Sequence, residues 1–290
     1  MDRAKTVACL SLAMLAACSR QPHIVVGAKN FTEQFVLGEI LAQHLERKLG
    51  IPVERKLGLG GTLLAHQALT TGSIDLYPEY TGTALTVVVK QPPVSDHAQA
   101  LEQVRQAYRS RWQLEWLAPL GFNDTFAMMV RGETARDLHI STLSEAAARQ
   151  AWRLGAGYEF QQRPDGLAGM LKTYGLRIQG APIAMDLGLL YQALNGRKVD
   201  LIAANSTDGL ASVLDVTILA DDRHYFPPYD CGVVVRSQAL QQFPQLRAAL
   251  ESLSGKISDA DMRKLNHQVD GEHRSPADAA AAFLKSIQTP

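Results

Sequence analysis

The sequence predicts an α/β fold with mainly parallel β-structure and enough chain for two lobes. Short β-branched runs alternate with segments whose apolar residues recur at helical spacing, which is typical of strands connected by helices. The chain has 290 residues, whereas a single hydrophobic core stops growing at roughly 250–300 residues. A helix–turn–strand pattern also occurs twice, which favours two similar units.

The first residues have the pattern of a secretory signal. A short basic start precedes an apolar stretch at 6–15 and then small residues, and this stretch is too short to span a membrane. The string L-A-A-C that ends at Cys18 resembles the bacterial lipobox. We therefore expect 1–17 to be a signal peptide, Cys18 to be lipidated, and 18–22 to be a tether outside the cytoplasm, in the periplasm or at the cell surface. The alternative is a buried apolar N-terminus with an incidental cysteine.

The first unit begins with a β-branched strand at 24–28 and continues as a helix. Asn30 and Glu33 stand three residues apart at the start of that helix, which predicts a capping box. The other predicted elements are strand 53–57, a turn at 58–61, helix 62–71, strand 74–77, strands 125–130 and 153–156, helices from about Thr142 and Gly166, and helices 239–253, 259–269 and 276–287.

One pattern occurs in both halves of the chain at a constant offset of 125 residues. The string Q-A-L, followed by five residues and D-L, begins at Gln67 and again at Gln192. Each copy predicts a helix, a turn and a strand that leads into a polar loop. Ligands of open α/β sheets bind at such strand ends. We therefore expect Tyr80 from one lobe and Asn205 from the other to face a shared cleft.

The composition and motifs give no positive sign of nucleic-acid binding or catalysis. Lys plus Arg and Asp plus Glu number 29 each, so no strong field favours an anionic polymer. The sequence has no H-E-x-x-H or G-x-S-x-G string, and the glycines at 58–61 lack the spacing of a dinucleotide-binding loop. We expect no catalytic residue, no metal and no cofactor. Cys231, the one thiol left after removal of Cys9 and lipidation of Cys18, is expected to be a buried small apolar residue.

Two aromatic-rich segments are candidates for ligand binding. Residues 75–83 read D-L-Y-P-E-Y-T-G-T, and residues 224–229 read H-Y-F-P-P-Y. The faces of exposed rings on rigid loops attract a methylated ammonium, by about 0.5–2 kcal/mol per ring. Packing in the core or between the lobes is the alternative for either segment, since most aromatic residues are structural.

Six strings together resemble one known family. They are G-A-K-N-F-T-E-Q from Gly27, L-G-G-T from Leu59, I-D-L-Y-P-E-Y-T-G-T from Ile74, R-P-D-G from Arg163, S-T-D-G from Ser206 and F-P-P-Y from Phe226. In this order, and over nearly the whole mature chain, they are similar to the osmoprotectant-binding proteins of glycine betaine, carnitine and choline ABC importers.

The resemblance implies a two-lobed periplasmic-binding-protein fold of the type II-like kind, with the ligand in the interlobe cleft. The expected boundaries are 23–121 with 224–290 for lobe 1, and 122–223 for lobe 2. The resemblance also implies an aromatic box for a trimethylammonium group and basic residues for a carboxylate. The matching positions are Tyr80, Phe126 and Tyr229 for the box, Lys29 and Arg163 for the carboxylate, Thr83 as a polar contact and Asp124 as an acidic one.

Two positions depart from the family pattern. Asn205 stands where a Tyr is expected, and Phe126 stands where Tyr is frequent. One missing ring costs on the order of 1 kcal/mol of binding free energy. The alternatives are therefore weaker betaine binding, or a hydrogen bond from Asn205 to a different substituent on a larger ligand.

The sequence thus predicts a non-catalytic, monomeric binding protein for a quaternary-ammonium solute such as glycine betaine or choline. Its expected partners are separate ABC permease and ATPase subunits and, through the lipid anchor, a membrane. A lipid-anchored hydrolase or lyase, or a ligand sensor acting on a related small molecule, is the alternative function.

Overall fold

The computed structural model of the protein describes residues 23–287. The predicted signal peptide, Cys18 and the whole predicted tether therefore lie outside the described residues. The described strands are β1 Ile24–Gly27, β2 Val53–Lys56, β3 Leu76–Tyr80, β4 Leu114–Trp116, β5 Phe126–Arg131, β6 Ala151–Trp152, β7 Leu154–Ala156, β8 Arg177–Ile178, β9 Ile183–Ala184, β10 Leu201–Asn205, β11 Val216–Leu219 and β12 Cys231–Arg236.

Helices connect most of these strands. They are α1 Thr32–Leu49, α2 Thr62–Thr70, α3 Thr81–Thr83, α4 His97–Trp112, α5 Gly132–Leu138, α6 Leu143–Arg149, α7 Tyr158–Gln162, α8 Leu167–Tyr174, α9 Leu190–Asn195, α10 Ser237–Gln242, α11 Leu246–Glu251, α12 Asp259–Asp270 and α13 Pro276–Ser286. A π-helical segment, Ala84–Val89, continues α3, and two short 3₁₀ turns lie at Leu187–Leu189 and Gly209–Ser212.

Two five-stranded sheets organise the chain into two lobes. The sheet of lobe 1 has the order β2-β1-β3-β12-β4, and that of lobe 2 has the order β11-β5-β10-β7-β9. In lobe 1, β1 is parallel to β2 and β3, whereas β12 is antiparallel to β3 and β4. In lobe 2, β7 is parallel to β10 and β9, whereas β5 is antiparallel to β10 and β11. The sheets are therefore mixed, and the expectation of mainly parallel sheets holds for only part of each.

Each sheet is covered on both faces by an apolar core. In lobe 1, Leu41 of α1 belongs to the core on one face, and Tyr108 of α4 belongs to the core on the other. In lobe 2, Trp152 and Leu194 mark the two corresponding cores. Cys231 is a free thiol with no exposed surface, which confirms the prediction that it is buried. No helix between residues 23 and 287 is long and apolar enough to cross a membrane.

The repeated sequence pattern corresponds to a repeated structure. The strands β3 and β10 begin at Leu76 and Leu201 and end at Tyr80 and Asn205, both pairs 125 residues apart. Helix α2 precedes one strand, and a 3₁₀ turn with α9 precedes the other. The repeat confirms the helix–turn–strand prediction and places Tyr80 and Asn205 at equivalent strand ends.

The largest error in the predicted elements is the helix expected at 239–253. The structure has two short helices there, α10 and α11, separated by the residues 243–245. Pro244 lies in this gap, and a proline lacks the N–H for an intrahelical bond while its ring clashes with the preceding turn. The helices predicted at 259–269 and 276–287 match α12 and α13 within one residue.

Candidate ligand-binding site

A cavity of about 350 Å³ lies between the two lobes. Tyr80 at the end of β3, Phe126 at the start of β5 and Asn205 at the end of β10 all line it. The wall contains all eight residues that the sequence assigned to the site, which are Lys29, Tyr80, Thr83, Asp124, Phe126, Arg163, Asn205 and Tyr229. The fold therefore brings together residues that are far apart in sequence.

Four aromatic rings pack against one another at the cavity, and we refer to Phe126, Phe160, Phe226 and Tyr229 as the aromatic cluster. The Phe126 ring centroid lies 4.9 Å from that of Phe160 and 5.7 Å from that of Tyr229, both edge to face. The Phe226 centroid lies 5.8 Å from that of Phe126. Tilted and edge-to-face arrangements are the ones that aromatic quadrupoles favour, so the rings support one another's positions.

Tyr80 forms the other aromatic part of the wall, stacked on Phe31 with 6.4 Å between ring centroids. The Tyr80 hydroxyl donates to Glu33 Oε1 at 2.7 Å and accepts from Gln34 Nε2 at 3.1 Å. The expectation of exposed rings on loops is wrong here, since Tyr80 ends a strand and is 4% exposed, and Tyr229 is 2% exposed. The lobes close over both rings, and their hydroxyls are satisfied by protein groups.

Lys29 is already paired within the protein. Its Nζ donates to Glu79 Oε1 at 2.7 Å and lies 4.8 Å from the Tyr80 ring centroid, and Thr62 Oγ1 is 3.4 Å away. Both the Lys29 and Glu79 side chains are almost completely buried. An ammonium has three N–H donors, so one remains for an oxygen of a ligand.

Asp165 connects the second predicted basic residue to the aromatic cluster. It accepts from Arg163 Nε at 2.9 Å and Nη2 at 2.5 Å, and from the Tyr229 hydroxyl at 2.7 Å. The guanidinium carbon of Arg163 lies 4.8 Å from the Phe126 centroid. Burial acts to raise the pKa of Asp165, but the bonds and charge of Arg163 outweigh it and hold that pKa below its ordinary value. Asp165 thus holds both the Arg163 guanidinium and the Tyr229 ring in position.

A bridge of polar groups joins the lobes through Thr207. Thr207, which follows β10 of lobe 2, places its Oγ1 2.5 Å from Glu33 Oε2 on α1 of lobe 1 and 2.7 Å from Asp124 Oδ1, just before β5. A hydroxyl carries one hydrogen, so it donates to one carboxyl and must accept from the other, which is then protonated. Burial raises the pKa of both Glu33 and Asp124, and their proximity raises that of Asp124 further. The bridge therefore holds an extra proton.

Asp208 lies on the cavity wall beside Asn205. Its Oδ2 accepts from the Tyr191 hydroxyl and from the Asn205 backbone N–H, both at 3.1 Å. Burial, and to a lesser degree the charge of Glu33, raises the pKa of Asp208 to about 7 despite these bonds. The sequence reasoning left Asp208 out of the site, because a turn-bracing Asp in S-T-D-G has the same local pattern.

The predicted capping box at the start of α1 is wrong. The residue that caps the helix is Phe31, with extended backbone and no capping side chain, so Asn30 does not serve as the cap. The Glu33 carboxyl group instead contacts the hydroxyls of Tyr80 and Thr207. It also accepts a hydrogen bond from Asn266 Nδ2 at 3.0 Å. These partners satisfy more of the buried carboxylate than one backbone N–H could.

A second polar contact crosses the cleft at the start of α2. The Thr62 backbone N–H donates to Glu159 Oε1 at 2.7 Å, and the Thr62 hydroxyl lies 3.3 Å from Glu159 Oε2. Because Glu159 belongs to α7 of lobe 2 and Thr62 to α2 of lobe 1, the carboxylate completes the N-terminus of a helix in the opposite lobe. This contact requires the lobes to be together.

Acidic groups outnumber basic ones on the cavity wall. Lys29 and Arg163 are its basic residues, and each is paired with a buried carboxylate, Glu79 or Asp165. The acidic residues of the wall are Glu33, Asp124, Glu159, Asp186, Asp208 and Asp270. Even with the proton of the Thr207 bridge, this balance favours a ligand with a positively charged group. Among residues 23–287, no group of three or more His, Cys, Asp or Glu side chains is arranged to hold a metal ion.

Four important residues were missed by the sequence reasoning, namely Glu33, Asp165, Thr207 and Asp208. All four lie within strings that carried the family resemblance, Glu33 and Asp165 in two of them and Thr207 and Asp208 together in S-T-D-G, so the motifs contained a signal for them. Glu33 and Thr207 contact each other although they are 174 residues apart, and local patterns do not encode such pairings.

Two mixed-sheet lobes that enclose a polar and aromatic cavity define the class of two-lobed periplasmic solute-binding proteins. Within this class the chain belongs to the family described as the substrate binding domain of ABC-type glycine betaine transport systems, whose model matches residues 22–286.

Known proteins of this family are similar to this one over most of its chain. A glycine-betaine-binding protein of Pseudomonas aeruginosa is 35% identical over 98% of this chain and 95% of its own length. The ergothioneine transport permease/ergothioneine binding protein of Helicobacter pylori is also 35% identical, over 91% of this chain. The chain spans only 47% of that relative. A crystal structure named as a glycine betaine/carnitine/choline ABC transporter has a TM-score of 0.77 and 32% identity, over 91% of this chain and 98% of that chain.

The relatives confirm the family that the six strings predicted and the two-lobed α/β fold. Family members are substrate-binding components of transporters, which act outside the cytoplasm. The hydrolase or lyase alternative receives no support from these comparisons.

Proposed function

We propose that this protein captures a quaternary-ammonium solute, such as glycine betaine, choline or a related betaine, and delivers it to an ABC permease and its ATPase. The observation that carries the proposal is the pairing of aromatic rings with an acidic cavity wall. The rings of Tyr80, Phe126 and Tyr229 line the same cavity as the carboxylates of Glu159 and Asp186. A methylated ammonium is attracted both by ring faces and by nearby negative charge.

The two basic residues suit a ligand that also carries a carboxylate. Lys29 retains one N–H donor beyond its bonds to Glu79 and Thr62, and Arg163 has donors beyond the two that bind Asp165. Each cation is held in place by its buried carboxylate partner. We therefore assign the carboxylate of a betaine to the space between Lys29 and Arg163.

Closure of the lobes is the step that links capture to transport. The Glu33–Thr207 and Thr62–Glu159 bonds both cross the cleft, so they are available only in the closed form. A ligand that contacts both lobes shifts the population toward that form by its difference in affinity for the two states. The closed, monomeric protein then docks on the permease. The lobes in this account are 23–121 with 224–290, and 122–223.

The N-terminus is the proposed link to the membrane. Residues 1–17 would be removed, and Cys18 would carry the lipid at the surface of the membrane. A Cys18→Ser variant is expected to leave the membrane fraction and appear in the soluble extracytoplasmic fraction. Retention of this variant in the membrane fraction would contradict lipidation at Cys18.

Thermal denaturation with a ligand panel tests the proposed function. Glycine betaine, choline and carnitine are compared with glycine and alanine, which lack the trimethylammonium group. A ligand present at 100 times its Kd adds about 2.7 kcal/mol to the free energy of unfolding. We expect at least one quaternary-ammonium ligand to raise the Tm while the amino acids leave it unchanged. No shift with any of the quaternary compounds would refute the proposal.

A further inference from the structure

The two equivalent strand ends at the cavity carry different chemistry. Tyr80 ends β3 and Asn205 ends β10, 125 residues later in the repeated pattern, and both line the cavity. Lobe 1 therefore presents a ring at this position, whereas lobe 2 presents a carboxamide. A ring face suits an ammonium, and a carboxamide suits a group that donates or accepts hydrogen bonds.

The carboxamide of Asn205 is unused within the described part of the chain. The backbone N–H of Asn205 donates to Asp208 Oδ2 at 3.1 Å, but the side chain forms no hydrogen bond to any residue between 23 and 287. A carboxamide has two N–H donors and a carbonyl acceptor. Polar groups at partly buried positions find partners as a rule, and here the partner has to come from the cavity.

The position of Asn205 in the sheet puts its side chain next to the aromatic cluster. Asn205 pairs with Phe126 across the antiparallel strands β10 and β5. Residues paired in this way lie about 4.5–5.5 Å apart. A ligand whose ammonium packs against Phe126 and Tyr229 therefore holds its neighbouring atoms within reach of Asn205 and Asp208.

The size of the cavity leaves room for such neighbouring atoms. Its volume is about 350 Å³. A water molecule has a share of about 30 Å³ of the liquid, so the cavity holds roughly a dozen non-hydrogen atoms at that density. Glycine betaine has fewer non-hydrogen atoms than this. A ligand that fills the cavity carries a further group besides its ammonium and carboxylate.

We propose that the site selects a betaine that carries a hydrogen-bonding side group, such as a hydroxyl or a ring with an N–H, and that Asn205 and Asp208 bind this group. The proposal rests on the proposed function, because it concerns the same cavity. Asn205 accepts from and donates to the side group, and Asp208 accepts from it or donates to it according to its protonation. Asn205 is in this account a specificity-determining residue.

Calorimetric titration of the wild-type protein with three betaines tests the selection. Glycine betaine has no side group, carnitine has a hydroxyl, and ergothioneine has a ring with N–H groups. We expect carnitine or ergothioneine to bind at least ten times more tightly than glycine betaine. Glycine betaine binding as tightly as both, or more tightly, would overturn the selection and leave the proposed function intact. If none of the three bound, the selection would fall, and the proposed function would fall with it only if choline also failed to bind.

Two substitutions of Asn205 assign the selection to this residue. Asn205→Leu, which keeps a similar branched shape without hydrogen-bonding groups, should weaken binding of the preferred ligand at least ten times more than it weakens binding of glycine betaine. Asn205→Tyr adds a ring face and should strengthen glycine betaine binding about five-fold. If Asn205→Leu weakened the binding of all three ligands equally, with the Tm of the free protein unchanged, Asn205 would not be the residue that recognises the side group.

Discussion

Thr207 Oγ1 lies 2.5 Å from Glu33 Oε2, although the two residues are 174 positions apart in the chain and belong to different lobes. The same hydroxyl lies 2.7 Å from Asp124 Oδ1. One hydroxyl hydrogen serves two carboxyl groups, so the contact joins the lobes and also requires one carboxyl to be protonated. The closed form is thereby linked both to ligand and to pH.

Removal of the Thr207 hydroxyl tests the bridge. Thr207→Val keeps the shape of the side chain but leaves the buried oxygens of Glu33 and Asp124 without that partner. An unsatisfied buried polar group costs about 1–3 kcal/mol, so we expect a loss of this size in the free energy of unfolding, measured by urea denaturation. The control is Thr70→Val on the exposed surface of α2, where we expect a change within about 0.5 kcal/mol. Equal effects of the two substitutions would contradict a structural role for the bridge.

Neutralisation of Asp165 tests its role at the aromatic cluster. Asp165→Asn leaves the buried Arg163 guanidinium with only the half-exposed Glu159 carboxylate, 4.0 Å away, as a counter-charge, and it loosens Tyr229. Breaking a buried ion pair at one partner costs about 3–5 kcal/mol, and we expect a destabilisation near the lower end of that range by chemical denaturation.

The matched control for Asp165 is a similar pair at the surface. Asp215 binds Arg136 through two bonds of 2.8 and 3.0 Å, but both side chains are 65% exposed. Solvent screening leaves such an exposed pair little net stabilisation, so Asp215→Asn should have little effect on the free energy of unfolding. An Asp165→Asn variant as stable as Asp215→Asn would mean that the Arg163–Asp165 pair does not organise the site.

The stabilisation that the Asp208 carboxyl contributes should fall as the pH rises from 5 to 8. The pKa of Asp208 is raised from its ordinary value to about 7, so the folded state binds a proton more tightly than the unfolded state does. This stabilisation is complete below the unfolded pKa, near 4, and is lost as the pH rises through about 7. Raised pKa values of Glu33 and Asp124 act in the same direction.

Thermal denaturation at pH 5, 6, 7 and 8 measures this effect. The Tm of the wild type minus that of Asp208→Asn, which has no titrating group at this position, should decrease over the series. Parallel curves for the two proteins would contradict a raised pKa of Asp208 in the folded state.

Two substitutions of Tyr229 separate its ring from its hydroxyl. Tyr229→Phe keeps the ring face and loses the bond to Asp165, so we expect the Kd for the best quaternary-ammonium ligand to rise less than five-fold. Tyr229→Leu loses the ring, and a cation–π contribution of up to about 2 kcal/mol when desolvated corresponds to a rise of ten-fold or more. Calorimetry measures both values, and equal affinities of the Phe and Leu variants would remove Tyr229 from the aromatic box.

The parts of the site that local sequence patterns encode were predictable. The helix–turn–strand repeat placed Tyr80 and Asn205 at equivalent strand ends, and both line the cavity. The cross-lobe contacts were not predictable, because Glu33 beside a helix start has the local pattern of a cap whereas its partners come from β3, α12 and the loop after β10. Pro244 is a helix breaker, and it divides the helix predicted at 239–253 into α10 and α11.

The central claim is that the cavity holds a ligand by the positive charge of its methylated ammonium. Choline and 3,3-dimethylbutan-1-ol have the same shape, but a neutral carbon replaces the nitrogen in the alcohol. Isothermal titration of the wild-type protein with both compounds compares their Kd values directly. The rings and the acidic wall predict that choline binds at least ten times more tightly, a difference of about 1.4 kcal/mol or more. Equal or tighter binding of the neutral alcohol would contradict the claim.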